Sequence, residues 1–213
     1  MKIKLVIFDC DGVMFDSREA NRHFYNHLLA GLARPPMDEA ELDYVHMNHV
    51  QDSVRHIFRH YPGDLAAAEA LRQQVDYRDF IPYMLMEPDL VEFLELLAPT
   101  YKTAISTNRT TTMAMILDIF GLTRYFGKVV TPLDVTRPKP HPESLLKILD
   151  HYGLAVDQAV YIGDSRVDQE PAAAIGMAFI AFKNPTLTAA HHVNSFMEIA
   201  RLPALMADRP GSR

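Results

Sequence analysis

One cysteine, no tryptophan and no run of apolar residues long enough to span a bilayer mark this 213-residue chain, and each shortage closes a class of explanation. With Cys10 alone, neither an internal disulfide nor a thiolate metal cluster can form, so any metal must be held by oxygen or imidazole. A net charge of -6 at pH 7, without any Lys/Arg cluster interleaved with aromatics, gives no support for a nucleic-acid or anionic-membrane surface. Lys2 and Lys4 precede an apolar run, but Asp9 and Asp11 interrupt it well short of a secretory h-region, and the cytoplasm is the expected compartment. There is no internal repeat and no low-complexity stretch. What remains is a globular chain, 48% hydrophobic, with enough apolar residues for a sizeable core.

Short apolar runs alternate with helical patterns along most of the length. Lys4 to Asp9, Lys102 to Thr107, Lys128 to Thr131, Ala159 to Gly163 and Ala178 to Phe182 read as strands, several without polar alternation, as strands covered on both faces do. Glu87 to Ala98, Arg109 to Phe120, Pro142 to Tyr152 and Ser165 to Gly176 carry helical periodicity and end in Gly or Pro punctuation. This order predicts an α/β fold, a doubly wound parallel sheet. Residues 17–84 break the alternation with an all-helical insert, punctuated by "RPPMDE" and "HYPGD", and Asp16 with Glu19 predicts a cap for its first helix. The expected organisation is residues 1–16 and 85–207 as the α/β core, 17–84 as the insert and 208–213 as a disordered tail.

Open α/β sheets bind ligands beyond the carboxyl ends of their strands. Those exits carry Asp9 and Asp11 in "FDCDG", Thr107 and Asn108 in "AISTN", and Asp164 with Asp168 in "YIGDSRVD"; Lys139 stands in the Pro-rich "TRPKPHPE". Each alone reads equally well as a helix cap, a solvated turn or an exposed lysine. Their joint order and placement are far more specific. Cys10 is expected to point into the core as a small apolar residue. His46 with His49, and His56 with His60, have spacings that can share a helix face, but neither pair has an acid in HExxH relation, so they read as partly exposed residues of the insert and not as a zinc site.

Together these segments resemble the four motifs of the haloacid dehalogenase superfamily, over nearly the whole chain to about Phe182. "DCDG" matches its Asp-x-Asp-Gly, Thr107 its Ser/Thr, Lys139 its Lys and "GDSRVD" its terminal acidic pair, and the insert is similar to its first type of cap domain. The resemblance implies a magnesium-dependent phosphatase acting on a small phosphate monoester, with Asp9 as nucleophile forming an aspartyl-phosphate and Asp11 as acid and base. Bringing a carboxylate against a phosphate costs about 4 kcal/mol at 4 Å and an effective dielectric near 20, which cations must offset. Asp9, the backbone carbonyl of Asp11 and Asp164 are the expected metal ligands, with Asp168 as a further ligand or acting through water. Lys139, the Thr107 hydroxyl and the Asn108 amide at a helix start are expected to bind phosphate. Asp11 needs a proton affinity raised by neighbouring acids and partial burial.

Asp11 argues against carbon-halogen cleavage, because the dehalogenases of the superfamily lack that second acid. "STN" and "GDSRVD" look more like the phosphoglycolate phosphatase branch than the β-phosphoglucomutase branch. A phosphomutase or pyrophosphatase is the alternative, and a non-catalytic binding module has no reason to keep all these groups. The insert is expected to close over the site, with Asn48, His49 and Arg55 choosing the leaving group. Neither nucleic acid nor membrane is an expected partner.

Overall fold

The structure is a computed structural model, and it describes residues 2–203. The chain divides into two compact units, one of residues 1–14 and 86–213 and one of residues 15–85. In chain order it runs through β1 (Leu5–Phe8), β2 (Phe15–Asp16), α1 (Arg18–Gly31), α2 (Glu39–Met47), α3 (Val50–Ile57) and α4 (Leu65–Gln74). It continues with β3 (Leu85–Met86), α5 (Leu90–Leu97), β4 (Lys102–Ser106), α6 (Met113–Ile119), β5 (Lys128–Val130) and α7 (Glu143–Tyr152). The last elements are β6 (Ala159–Gly163), α8 (Arg166–Ile175), β7 (Ala178–Phe182), β8 (His191–Val193) and α9 (Phe196–Ile199).

The α/β unit is built on a six-stranded sheet in the order β5-β4-β1-β6-β7-β8, and every pairing in it is parallel. The strand "LVIF" explains the two-sided burial. All four residues are buried, and because side chains alternate across a strand they feed opposite faces. Leu5 and Ile7 join Ile148, Leu145, Tyr161 and Phe179 in one core cluster. Phe8 packs edge-on against Phe93 of α5 and lies 5.9 Å, centroid to centroid, from Phe196 of α9. Helices therefore cover both faces, as a doubly wound sheet requires. Strand order reverses around β1: the chain goes first to β4 and β5 on one side, then to β6, β7 and β8 on the other. Ligand crevices form at such a switch.

Several boundaries differ from the sequence reading. Helix α5 begins at Leu90 and not Glu87, because Pro88 disfavours helical backbone at the residue before it. Helix α6 begins at Met113 and not Arg109, so Asn108 lies in a turn ahead of the helix and not at its start. The N-cap of α1 is Ser17; Asp16 nevertheless accepts the Arg18 N–H at 3.1 Å, while Glu19 pairs with Arg22. Strand β8 and helix α9 escaped the sequence reading, being three and four residues long, too short for a period to register. The expected tail at 208–213 lies outside the described residues.

The helical unit has its own core. Helix α1 buries Phe24, Tyr25, Leu28 and Leu29 along one stripe, and Phe24 contacts Tyr77 and Phe80 at ring distances of 5.5 Å. Asp38 closes a capping box with Glu41 at the start of α2. Among the described residues no helix is long and apolar enough to cross a membrane.

Candidate active site

The exits of β1 and β6 bring four of the expected residues together. Asp9 follows β1 directly, and its N–H is fixed by the Ile162 carbonyl of β6 at 2.9 Å. Lys139 reaches in from the loop after β5. Its ammonium donates to Asp9 Oδ1 at 2.8 Å, to Asp168 Oδ1 at 2.6 Å and to the Tyr161 hydroxyl at 3.1 Å. A lysine has three N–H donors, and all three are engaged by this protein's own acceptors.

Asp168 is fully buried. Beyond Lys139, its Oδ1 takes the Tyr161 hydroxyl at 2.6 Å and its Oδ2 takes the Ser165 hydroxyl at 2.7 Å and the Ser165 N–H at 3.3 Å. Both oxygens thus already accept two hydrogen bonds each. That weakens the expectation of Asp168 as a direct metal ligand and makes it the anchor of Lys139. Tyr161 was not singled out from the sequence, where it reads as one more apolar strand residue. Its phenol is the polar end of a core side chain.

Glycine shapes the site at two positions. Gly12 has φ +75, and a Cβ there would lie 2.0 Å from Asp164 Oδ2, so the turn after Asp11 needs both the left-handed backbone and the missing side chain. At Gly163 a Cβ would lie 2.3 Å from the Asp168 Cβ. The glycines of "DCDG" and "IGD" leave room for the two acids of the last motif. Asn184, also unmarked in the sequence, donates its side-chain amide to the Asp164 carbonyl at 2.7 Å.

The charges are unevenly balanced. Burial pushes the Asp9 carboxyl up to about 7, with Asp168 adding to the rise and Lys139 opposing it. Burial likewise drives Asp164 well above the usual carboxylate range, with Asp168 and Asp9 adding to the rise. For Asp168 burial acts upward too, but the Lys139 charge and the hydrogen bonds from Lys139, Tyr161 and Ser165 prevail and hold it low. Burial alone would lower the Lys139 ammonium; the Asp168 and Asp9 carboxylates reverse this and raise it.

Carboxylate oxygens of Asp9, Asp164 and Asp168 lie within 4.8 Å of one another. One ammonium serves this cluster. An all-oxygen donor set with a deficit of positive charge fits a hard divalent cation, and Asp9 with Asp164 are the acids whose charge it would relieve.

Asp11 meets a cation the sequence reading missed. Arg109 donates to Asp11 Oδ1 through Nε at 3.0 Å and Nη2 at 2.7 Å. Besides the neighbouring acids expected from the sequence, a guanidinium therefore faces Asp11. Arg109 had been read as the start of a helix; instead its N–H is donated to Thr107 Oγ1 at 3.1 Å, which holds "TNR" as a turn.

Thr107 is buried at the β4 exit. Asn108 Nδ2 makes a long 3.4 Å contact to the Lys139 carbonyl, and its buried Oδ1 has no hydrogen-bond partner. Cys10 is buried among the core residues, as expected.

Asn48, His49 and Arg55 lie in the helical unit. Asn48 ends α2, its amide on the Tyr44 carbonyl at 2.9 Å. His49 is the N-cap of α3, accepting the Gln51 N–H at 3.1 Å. Arg55, its side chain 73% exposed, meets Asp52 at 3.2 Å. Two of the other histidines have structural neighbours of their own: His56 stacks on Tyr44 at 3.7 Å and His46 contacts the Asn21 amide at 3.1 Å.

Comparison with known proteins matches the chain to a family. The model of the haloacid dehalogenase-like hydrolases matches residues 6–182. A solved hydrolase of the same superfamily, subfamily IA, from Geobacter sulfurreducens is 42% identical, with 92% of this chain and 94% of that one covered at a TM-score of 0.79. A structure described as a predicted phosphoglycolate phosphatase from Haemophilus somnus shares the fold at 22% identity, covering 93% of this chain and 97% of that one with a TM-score of 0.79. Among curated proteins, the phosphoglycolate phosphatase of Escherichia coli K12 is 38% identical over 71 residues, which is 33% of this chain and 28% of that protein's length.

Proposed function

This chain belongs to the haloacid dehalogenase-like hydrolase family, and on that premise we propose that it is a magnesium-dependent phosphatase of a small phosphate monoester. Phosphoglycolate is the leading substrate candidate, on the strength of the 71-residue match to the bacterial phosphatase. The observation that carries the reading is the meeting of Asp9, Lys139, Asp164 and Asp168 at one end of β1 and β6, with Asp11 two residues beyond Asp9.

Asp9 is the nucleophile. Lys139 holds its Oδ1, which fixes the carboxylate and leaves Oδ2 to attack phosphorus as the bond to the leaving oxygen breaks. Asp11 gives that oxygen its proton, and in the second displacement it takes one from the water that attacks the aspartyl-phosphate. Thr107 and Asn108 donate to the phosphoryl oxygens. With its three N–H donors engaged, Lys139 contributes positive charge and the placement of Asp9 more than a direct bond to phosphate. When bound, magnesium held by Asp9, Asp164 and the Asp11 carbonyl supplies the charge that offsets carboxylate-phosphate repulsion. Residues 17–84 act as the cap that selects the leaving group, with Asn48, His49 and Arg55 as candidates.

The test is phosphate release from p-nitrophenyl phosphate and a panel of natural esters, with magnesium or with a chelator. Magnesium-dependent release that ends on chelation is the expected result. Undiminished release after exhaustive chelation would overturn the metal assignment, and no release from any ester would overturn the phosphatase.

A further inference from the structure

Arg109 stands out as a part-buried cation that the proposed chemistry leaves without a task. Its side chain is 9% exposed, and it bridges two strand exits 98 residues apart in sequence. Three features fix it. The backbone N–H is tied to the Thr107 hydroxyl, Nη1 reaches Thr112 Oγ1 at 3.4 Å, and Nε and Nη2 converge on the same oxygen, Oδ1 of Asp11. A guanidinium is planar and presents its donors in a rigid fork. Two donors from that fork on one carboxylate oxygen restrict the rotation of the carboxyl group, which a single donor would not do.

We propose that Arg109 is the positioning residue of Asp11, holding Oδ1 so that Oδ2 is the oxygen that exchanges the proton. The inference rests on the phosphatase reading and deepens it. In the first displacement the Asp9–phosphorus bond forms, the bond from phosphorus to the leaving oxygen breaks, and the proton passes from Asp11 Oδ2 to that oxygen. The carboxylate left behind keeps its pairing with Arg109. In the second displacement the same oxygen receives the proton of the attacking water as the Asp9–phosphorus bond opens. The guanidinium touches neither phosphorus nor leaving group in this arrangement; it acts through Asp11.

A residue that works through the acid affects turnover of esters whose leaving groups need a proton, whereas a residue that binds phosphate affects the KM of every ester. Arg109→Gln should lower kcat for alkyl phosphates by about 30-fold to 100-fold and for p-nitrophenyl phosphate by less than about threefold, with KM for both within about twofold of the parent. Arg109→Lys keeps the charge and loses the fork, so it should show the same pattern with about a third of the loss. It also serves if the glutamine variant does not fold. A uniform rise in KM across all esters would assign Arg109 to the phosphate and overturn the proposal. Equal loss of kcat on alkyl and aryl esters would overturn it as well, as would unchanged kinetics in both variants. Each of these leaves the phosphatase reading standing, while a parent protein inactive on every ester with magnesium removes both.

Discussion

In the α/β unit, Lys139 is buried and Arg109 part-buried, and they meet Asp9 and Asp11, 130 and 98 residues away in sequence. In the helical unit Arg22, Arg55 and Arg72 meet acids three residues away along one helix, while Arg18 reaches Glu39 and Asp43, Arg34 reaches Asp64 and Arg59 reaches Glu41, but each of these arginines keeps at least 20% of its side chain exposed. The difference separates charges that the fold was built to hold from charges that solvate a surface. Exposed pairs at this spacing contribute about 0.2–1 kcal/mol each. Buried pairs carry a desolvation cost that their mutual attraction can fail to offset, a cost that the proposed chemistry would account for at this end of the sheet.

The contrast is tested most severely at Asp9. Asp9→Asn keeps the shape and one acceptor for Lys139 but removes the attacking charge, and turnover should fall by at least about a thousandfold. It also removes one of three crowded carboxylates, so the far-ultraviolet circular dichroism should stay that of the parent. Near-parental turnover by a folded Asp9→Asn protein would mean that the buried charges of the α/β unit are structural after all.

The two units were unequally legible for the same physical reason. Strands β1, β4 and β6 announce themselves as uninterrupted apolar runs because both faces are covered, and Asp9, Thr107 and Asp164 stand where those runs stop. Rules about strand exits could therefore locate them. Arg109, Tyr161 and Asn184 could not be found this way, since their roles depend on partners far away: Tyr161 reaches the Ser106 carbonyl of β4 at 3.3 Å as well as Lys139 and Asp168. Only the three-dimensional order β4-β1-β6 makes those neighbours. In the helical unit two of the candidate residues have local partners. Asn48 and His49, the specificity candidates, also terminate α2 and begin α3, as cap residues do in any helix pair.

A second, smaller effect sharpens the comparison at Asp164. Its charge is opposed by burial and by Asp168 and Asp9, so without a cation the carboxylate destabilises the fold that holds it. Asp164→Asn should therefore melt at or above the temperature of the parent in chelator. Magnesium should stabilise the parent by about 2.7 kcal/mol at one hundred times its dissociation constant, and the Asp164→Asn protein far less. Thermal melts with and without magnesium decide this. A variant that melts lower in chelator and still gains the full magnesium shift would remove Asp164 from the metal and make it an ordinary structural acid.

The smallest effect is expected at Arg55, where the helical unit has its one candidate not occupied in terminating a helix. It pairs with Asp52 at 3.2 Å, both side chains being substantially exposed, so Arg55→Ala should change stability by less than about 1 kcal/mol. A small aryl ester carries no group for a remote side chain to contact, and its turnover should be unchanged. Natural esters differ in the part beyond the phosphate, and a basic side chain that meets that part should favour those carrying a further negative charge. Removing one such contact is worth roughly tenfold in discrimination. The measurement is kcat/KM for Arg55→Ala relative to the parent, taken across esters with and without a carboxylate in the leaving group. A selective loss on the carboxylate-bearing esters places Arg55 among the residues that read the leaving group. A uniform ratio across the panel assigns Arg55 to the exposed pairs of the helical unit, and leaves Asn48 and His49 as the candidates for reading the leaving group.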